Sequence, residues 1–152
     1  MLMASVKNGN PLLEIQCAPE TSAVFWESLG YATYTDGYKV YGRRVLDMPQ
    51  ELPDGDPIAV KISFFPTYFS ELPRDVPLAV HNLFAVEIPG TKRLMLSHVV
   101  AQYYLPDSKW LRVEVIFNDE RIYDDLAKCD RAEDLGIRAC QHGVAISEIR
   151  LP

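Results

Sequence analysis

The sequence predicts an α+β protein that is mostly antiparallel β. Apolar and polar residues alternate with a period of two at 58–64 and 111–117, as they do in half-buried strands. Turn-forming pairs, Asp36-Gly37 and Asn118-Asp119, stand between alternating runs, which is typical of β-hairpins. The stretch 20–30 carries both a helix start and a helix stop. Strands are therefore expected to outnumber helices.

The N-terminal third of the chain is predicted to form a strand, a helix and a hairpin. Residues 12–17 alternate between apolar and polar side chains, as a strand does. After the helix, Asp36-Gly37 is expected to supply the two turn residues of the hairpin. This register pairs Thr35 with Tyr38.

The predicted helix begins at Glu20 and is stopped by Gly30. Four of its side chains recur at helical spacing and are expected to form one buried stripe. The members of this stripe are Ser22, Phe25, Trp26 and Leu29.

A loop rich in Pro, Gly and Asp at 48–57 is the best candidate for an internal boundary. It divides the chain into segments 1–47 and 57–152, which can also form one continuous domain. The second segment is expected to be a β-sandwich-like body. Strands are predicted at 58–64, 77–88, 92–105, 111–117, 121–123, 137–140 and 144–151, with a short helix within 124–135 and with a helix over 91–104 as an alternative to the strand there.

Aromatic residues interleaved with prolines follow the strand at 58–64, and one tryptophan opens the last third of the chain. Such residues form either a lid on the core or an exposed loop that binds a ligand. The candidate binding residues are Phe64, Phe65, Tyr68, Phe69 and Trp110.

Composition narrows the classes of partner. A net charge of −6 with a pI near 5.0 disfavours nucleic acid, because binding to phosphate backbones rests on clustered Lys and Arg. No apolar run approaches the ~20 residues of a membrane-spanning helix. We therefore expect a protein or a small polar ligand as partner, and homo-oligomerisation stays open.

Three cysteines, Cys17, Cys129 and Cys140, form an odd set without a Cys-x-x-Cys spacing. This fits neither a disulfide framework nor a zinc site. Free thiols in a reducing cytoplasm are the simpler interpretation, with no metal and no cofactor.

The segment Ala23 to Tyr31, AVFWESLGY, resembles the late helix and following turn of the GNAT family of acyl-CoA-dependent N-acyltransferases. Members of that family commonly carry an aromatic-aromatic-Glu-x-Leu-Gly-aromatic pattern between two strands. The resemblance covers about 30 of the 152 residues and implies a GNAT-like strand-helix-hairpin corner packed on the β-sandwich-like body. The matching residues are Phe25, Trp26, Glu27, Leu29, Gly30 and Tyr31.

The resemblance also implies acetyl-CoA as cofactor, but the loop that binds the CoA pyrophosphate is missing. That loop should precede the strand at Leu12, and no R/Q-x-x-G-x-G/A pattern occurs there or later. Trp26 stands where the family often has a Tyr as general acid, and an indole is not a useful proton donor at neutral pH. Glu27 remains as a candidate base, although a solvated helix residue is the simpler interpretation.

The same stretch also resembles the first helix of the glyoxalase/bleomycin-resistance family. Enzymes of that family hold a divalent metal with His, Gln and Glu ligands. Glu14, Gln16 and His98 are the residues of this chain that such a site would use. This resemblance ranks second.

The leading hypothesis is a non-catalytic binding or interaction module related to a GNAT acyltransferase. One alternative is an acyl-CoA-dependent N-acetyltransferase that is completed by another chain or by upstream residues. A second alternative is an acidic immunity or inhibitor-type protein that neutralises a basic partner.

Overall fold

The computed structural model describes residues 11–67, 70–105 and 108–152. The protein is mostly antiparallel β, with 54% strand and 11% helix, which confirms the predicted α+β class. The chain divides into two compact units, Met1–Leu46 and Asp47–Pro152.

The first unit contains a three-stranded antiparallel sheet in the order β1-β3-β2. The predicted strand, helix and hairpin all form. The third strand lies between the other two because it pairs with both of them along its length. The elements are β1 (Leu12–Cys17), a 3₁₀ turn (Glu20–Ser22), α1 (Ala23–Ser28), β2 (Ala32–Asp36) and β3 (Lys39–Val45).

The predicted register of the hairpin is wrong by two residues. Thr35 pairs with Val40, not with Tyr38, and the two turn residues are Gly37 and Tyr38. The reason is the left-handed φ of +64° at Gly37. A two-residue turn with glycine in its first central position matches the twist of the flanking strands, so the glycine opens the turn here and does not close it.

The predicted buried stripe of the first helix is also wrong. Phe25 is 58% exposed and Leu29 is 44% exposed. Ser22 and Trp26 are partly buried, and the Trp26 ring lies edge-to-face against Tyr31 at a centroid distance of 5.5 Å. The helix is six residues long and continues from a tighter 3₁₀ turn, which changes the angular phase on which the stripe depended.

The second unit is built on one antiparallel sheet of seven strands, in the order β8-β7-β4-β5-β6-β10-β9. A second helix, α2 (Asp130–Leu135), connects the eighth strand to the ninth. The strands are β4 (Ile58–Pro66), β5 (Ala79–Glu87), β6 (Arg93–Tyr103), β7 (Leu111–Phe117), β8 (Glu120–Leu126), β9 (Ile137–Ala139) and β10 (Gly143–Arg150).

This sheet corrects the expectation of a β-sandwich-like body. The described part of the unit holds a single curled sheet in place of two stacked ones. Because the sheet curls, the inward side chains of its strands meet one another and no second sheet is needed to bury them. The largest fully buried side chains of this core include Phe64, Ile62, Leu94, Leu96, Leu111, Ile137, Ile146 and Ile149.

The alternative left open at 91–104 is decided by strand pairing. Arg93–Tyr103 form β6, which pairs with β5 on one side and with β10 on the other, so the segment forms a strand and not a helix. The short helix predicted within 124–135 also forms, at Asp130–Leu135, while residues 124–126 extend β8 along β7.

The loop at 48–57 is tied into the second unit at its start. The carbonyl of Met48 accepts a hydrogen bond from the amide of Val99, at 2.9 Å. The side-chain amide of Gln50 donates to the carbonyls of Leu96 (2.9 Å) and Ser147 (2.8 Å). This glutamine therefore bridges β6 and β10.

The helices of the described residues are too short to cross a membrane. The three cysteines form no disulfide; Cys17 is buried, and Cys129 and Cys140 are partly buried.

Candidate functional site

A cleft of about 670 Å³ lies at the end of the seven-stranded sheet where β4 and β8 finish and β7 begins. Three neighbouring strands reach it: β4 with its last residues, β7 with its first, and β8 with its last. The loop between β4 and β5 supplies the remaining residues. The cleft is lined by Pro66, Thr67, Arg74, Asp75, Arg112, Asp125 and Leu126.

Arg112 is the most firmly held side chain of the cleft. Its guanidinium carbon lies 3.9 Å from the centre of the Phe65 ring, directly across the strand pair. One nitrogen of the guanidinium donates to the Asp124 carboxylate, and another donates to the backbone carbonyl of Arg74, at 3.3 Å. Arg112 therefore joins two strands to the β4–β5 loop.

The carboxylate of Asp125 is held by two hydrogen bonds. Its Oδ1 accepts the amide hydrogen of Leu126 at 2.7 Å, and its Oδ2 accepts from the Arg131 guanidinium of α2 at 3.2 Å. The Asp125–Arg131 ion pair is partly exposed. Its main effect is to orient the carboxylate, because exposed pairs contribute only about 0–1 kcal/mol.

The predicted binding residues lie in different parts of the structure. Phe64 is 0% exposed and belongs to the core, where its ring meets His81 edge-on at 6.0 Å. A surface ligand cannot contact it, so Phe64 is removed from the candidate surface. Tyr68 and Phe69 lie outside the described residues.

Phe65 and Trp110 lie next to the cleft. Phe65 is partly buried beneath the Arg112 guanidinium. Trp110 is 41% exposed, and its carbonyl accepts a hydrogen bond from the Thr67 hydroxyl at 3.4 Å. Both aromatic residues therefore lie at the same end of the sheet as the cleft.

Sequence reasoning missed the charged residues of the cleft, namely Arg74, Asp75, Arg112 and Asp125. Arg112 directly follows the first residue of a predicted strand, and Asp125 lies just beyond a predicted one. Their positions at strand ends are the signal that was available. A pattern within one segment does not show that ends of different strands meet.

A second cleft, of about 570 Å³, lies between β8, α2 and the C-terminal residues. Three arginines line it, but each is paired with a carboxylate: Arg121 with Asp124, Arg131 with Asp125, and Arg150 with Glu148. The three positive charges of this cleft are therefore already paired with carboxylates of the protein itself.

The first unit carries an aromatic and charged cluster on the sheet face opposite Tyr31. Tyr34 and Tyr41 stack across β2 and β3 with ring centroids 5.4 Å apart. The Arg43 guanidinium lies 4.4 Å from the centre of the Tyr34 ring and pairs with Glu14 at 2.8 Å. Burial, together with the Glu14 carboxylate, raises the pKa of the Tyr34 hydroxyl despite the nearby Arg43.

Two residues that the family resemblances indicated as a candidate base and a candidate metal ligand, Glu27 and His98, make ordinary contacts with neighbouring side chains. Glu27 accepts a hydrogen bond from the Thr33 hydroxyl at 2.6 Å. His98 contacts Asp47 at 3.0 Å in an exposed pair. Among residues 11–67, 70–105 and 108–152, no three His, Cys, Asp or Glu side chains lie close enough to hold a metal ion.

His81 is a partly buried histidine of β5. Burial lowers the pKa of its imidazole. Its Nε2 has no hydrogen-bond partner within the described part of the chain, and its ring packs on Phe64. These contacts make it a packing residue of the core.

Comparison with known proteins supplies no relative. No family model matches the sequence, and searches of curated proteins and of solved structures yield no match.

Proposed function

We propose that the chain is a non-catalytic binding module whose ligand occupies the cleft between β4, β7, β8 and the β4–β5 loop. The observation that carries this proposal is the cleft itself, about 670 Å³ in volume and lined by both charged and apolar side chains. Small-molecule sites are typically ~300–1,000 Å³ and combine an apolar lining with a few oriented polar groups.

The fixed orientation of two lining side chains supports a binding role. Arg112 and Asp125 are each held by partners on two different elements. Because such side chains lose little conformational freedom when a ligand arrives, they lower the entropic cost of binding. Guanidinium and carboxylate groups recognise polar ligands through charge-assisted hydrogen bonds.

The test is an amide ¹H–¹⁵N correlation spectrum of the full chain, titrated with anionic, cationic, zwitterionic and uncharged fragments. We expect at least one class to shift the amides of Thr67, Arg74 and Leu126 in a saturable way. A Leu126→Trp variant should lose the effect because it fills the cleft. Val80→Trp is the matched control, since it adds the same side chain at an exposed position of β5.

Two results would sink the proposal. One is a spectrum that no fragment class perturbs at the cleft. The other is a response that Leu126→Trp leaves intact, because the ligand would then bind elsewhere.

We further propose that the first unit is related to the late strand-helix-hairpin part of the GNAT fold. Its order of strand, helix and two strands supports this relation. The relation favours a second candidate function, an acyl-CoA-dependent N-acetyltransferase completed by another chain or by upstream residues.

Calorimetric titration with acetyl-CoA, with CoA as control, distinguishes the two functions. Saturable micromolar binding at one site per chain would replace the binding module by the acyltransferase. The absence of heat up to millimolar acetyl-CoA is the result that the binding-module proposal expects.

A further inference from the structure

We infer that the ligand of this cleft is a zwitterion, and specifically an α-amino acid with an apolar side chain. The inference rests on the proposed binding function of the same cleft. It is carried by two neighbouring residues of the β4–β5 loop, Arg74 and Asp75, which line the cleft with opposite charges.

The fold does not use the side chains of Arg74 and Asp75. Both residues are exposed, and within the described residues neither side chain has a hydrogen-bond or ion-pair partner. Only the backbone carbonyl of Arg74 is engaged, by the Arg112 guanidinium at 3.3 Å. This bond holds the loop beside the cleft and leaves both charged side chains available.

The other charged residues that line the cleft already have ion-pair partners. Arg112 is paired with Asp124, and Asp125 is paired with Arg131. Arg74 and Asp75 are therefore the charged lining residues whose side chains have no partner among the described residues, and both lie in the same turn.

These two groups are complementary to the two ends of an amino acid. A guanidinium presents a planar fork of donors that fits a carboxylate with two parallel hydrogen bonds. An ionised carboxylate only accepts, whereas an ammonium group only donates, in up to three directions. Because both residues lie in one turn and line the same cleft, a single ligand that carries both charges is their complement.

A ligand with a single charge would satisfy only one of the pair. A carboxylate bound at Arg74 alone would bring its negative charge near Asp75, and like charges at short distance repel. A zwitterion avoids this penalty at both residues.

The apolar residues of the cleft provide a place for the ligand side chain. These apolar residues are Pro66 and Leu126. A volume of about 670 Å³ holds a side chain as large as that of phenylalanine together with its charged end.

The first test is calorimetric titration of the full chain with L-phenylalanine, N-acetyl-L-phenylalanine and L-phenylalaninamide. The acetyl group removes the ammonium charge, and the amide removes the carboxylate. We expect L-phenylalanine to bind at one site and each blocked form to bind about tenfold more weakly or worse, because each blocked form loses the hydrogen bonds of one charged group.

The second test assigns each charge to its residue. Asp75→Asn should weaken binding of L-phenylalanine but not that of N-acetyl-L-phenylalanine, because the variant removes the repulsion between Asp75 and the ligand carboxylate. Arg74→Gln should weaken binding of L-phenylalanine but not that of L-phenylalaninamide, because the variant removes the repulsion between Arg74 and the ligand ammonium group. Asp54→Asn and Arg138→Gln are matched controls, because they remove one exposed charge of each sign elsewhere in the second unit.

Three outcomes overturn the inference: no binding of L-phenylalanine at millimolar concentration, equal affinity for the blocked forms, or equal effects of the control variants. If L-phenylalanine fails while another fragment class shifts the cleft amides, only the zwitterion is wrong. If no fragment class binds there, the binding-module proposal fails as well.

Discussion

Gly136 ends α2 at a position where no other residue fits without strain. Its φ is +101°, in the left-handed region, and its amide donates to the carbonyls of Ala132 and Glu133. A Cβ atom at this position would come within 2.5 Å of the backbone carbonyl oxygen of Glu148. The glycine therefore serves both the helix end and the close approach of β10.

Gly136→Ala should lower the free energy of unfolding by about 3 kcal/mol, from left-handed strain of ~1–2 kcal/mol together with overpacking of ~1–3 kcal/mol. Gly90→Ala is the matched control, because Gly90 also has a positive φ (+77°) but a Cβ atom added there would meet nothing within 4 Å. Its loss should be about 1 kcal/mol. Urea unfolding measures both, and equal losses would show that the contact with β10 has no cost.

Trp26 is a partly buried aromatic residue of α1. Its ring meets Phe25 at 5.3 Å and Tyr31 at 5.5 Å, both edge-to-face. Phe25 itself is 58% exposed. The same short helix thus offers a packed and an exposed aromatic residue in adjacent positions.

Trp26→Ala should cost about 2 kcal/mol, less than the ~3–5 kcal/mol of a fully buried tryptophan because its side chain is only partly buried. Phe25→Ala, at the exposed neighbouring position, should cost under about 1 kcal/mol. Chemical unfolding of the two variants gives the comparison. A larger loss for Phe25→Ala would mean that the exposed face of the helix is covered in solution.

At the scale of elements, a buried glutamate joins β6 to β10. Glu148 follows a bulge in β10 and accepts hydrogen bonds from Arg93, at 2.6 and 3.0 Å, and from Arg150, at 2.9 Å. Burial acts to raise the pKa of the Glu148 carboxyl, but the hydrogen bonds and charges of the two arginines outweigh it and hold this pKa below its usual value.

This lowered pKa predicts the pH dependence of stability. A carboxyl whose pKa is lower in the folded state stabilises the protein above its unfolded pKa of about 4.3, and the contribution is lost as the pH falls through the folded pKa. Stability measured by urea unfolding should therefore fall from pH 5 downward, and less steeply in Glu148→Gln. Glu87→Gln, at an exposed position of β5, should keep the wild-type slope. Equal slopes for wild type and Glu148→Gln would contradict the linkage.

At the scale of the whole molecule, the second unit has a core of its own. Every member of the main buried cluster lies between Val60 and Ile149. The formal charge is also concentrated there: the range 1–46 has four acidic and four basic residues, so the net −6 comes from 47–152.

A fragment of residues 47–152 should fold by itself, because its core and its seven-stranded sheet lie within that range. We expect one cooperative thermal transition and the β-sheet circular dichroism of the intact chain. A fragment that shows no transition would mean that its stability depends on residues 1–46.

The aromatic candidates show how far local patterns reach toward a site. The aromatic pattern predicted binding residues near the end of β4. Phe65 and Trp110 lie beside the cleft at that end. The same pattern included Phe64, which is a core residue. Period-two alternation assigns a side chain to one of two faces, but it does not say which face is inward when both neighbouring residues are aromatic.

The sequence by itself determined where most strands run and that two hairpins form, because alternation and turn chemistry act between residues close in the chain. Tertiary structure decided the rest. The curl of the sheet, the exposure of Phe25 and the cleft with Arg74, Asp75 and Arg112 depend on the pairing of distant strands. Such pairing brings together residues whose separation in sequence leaves no common pattern.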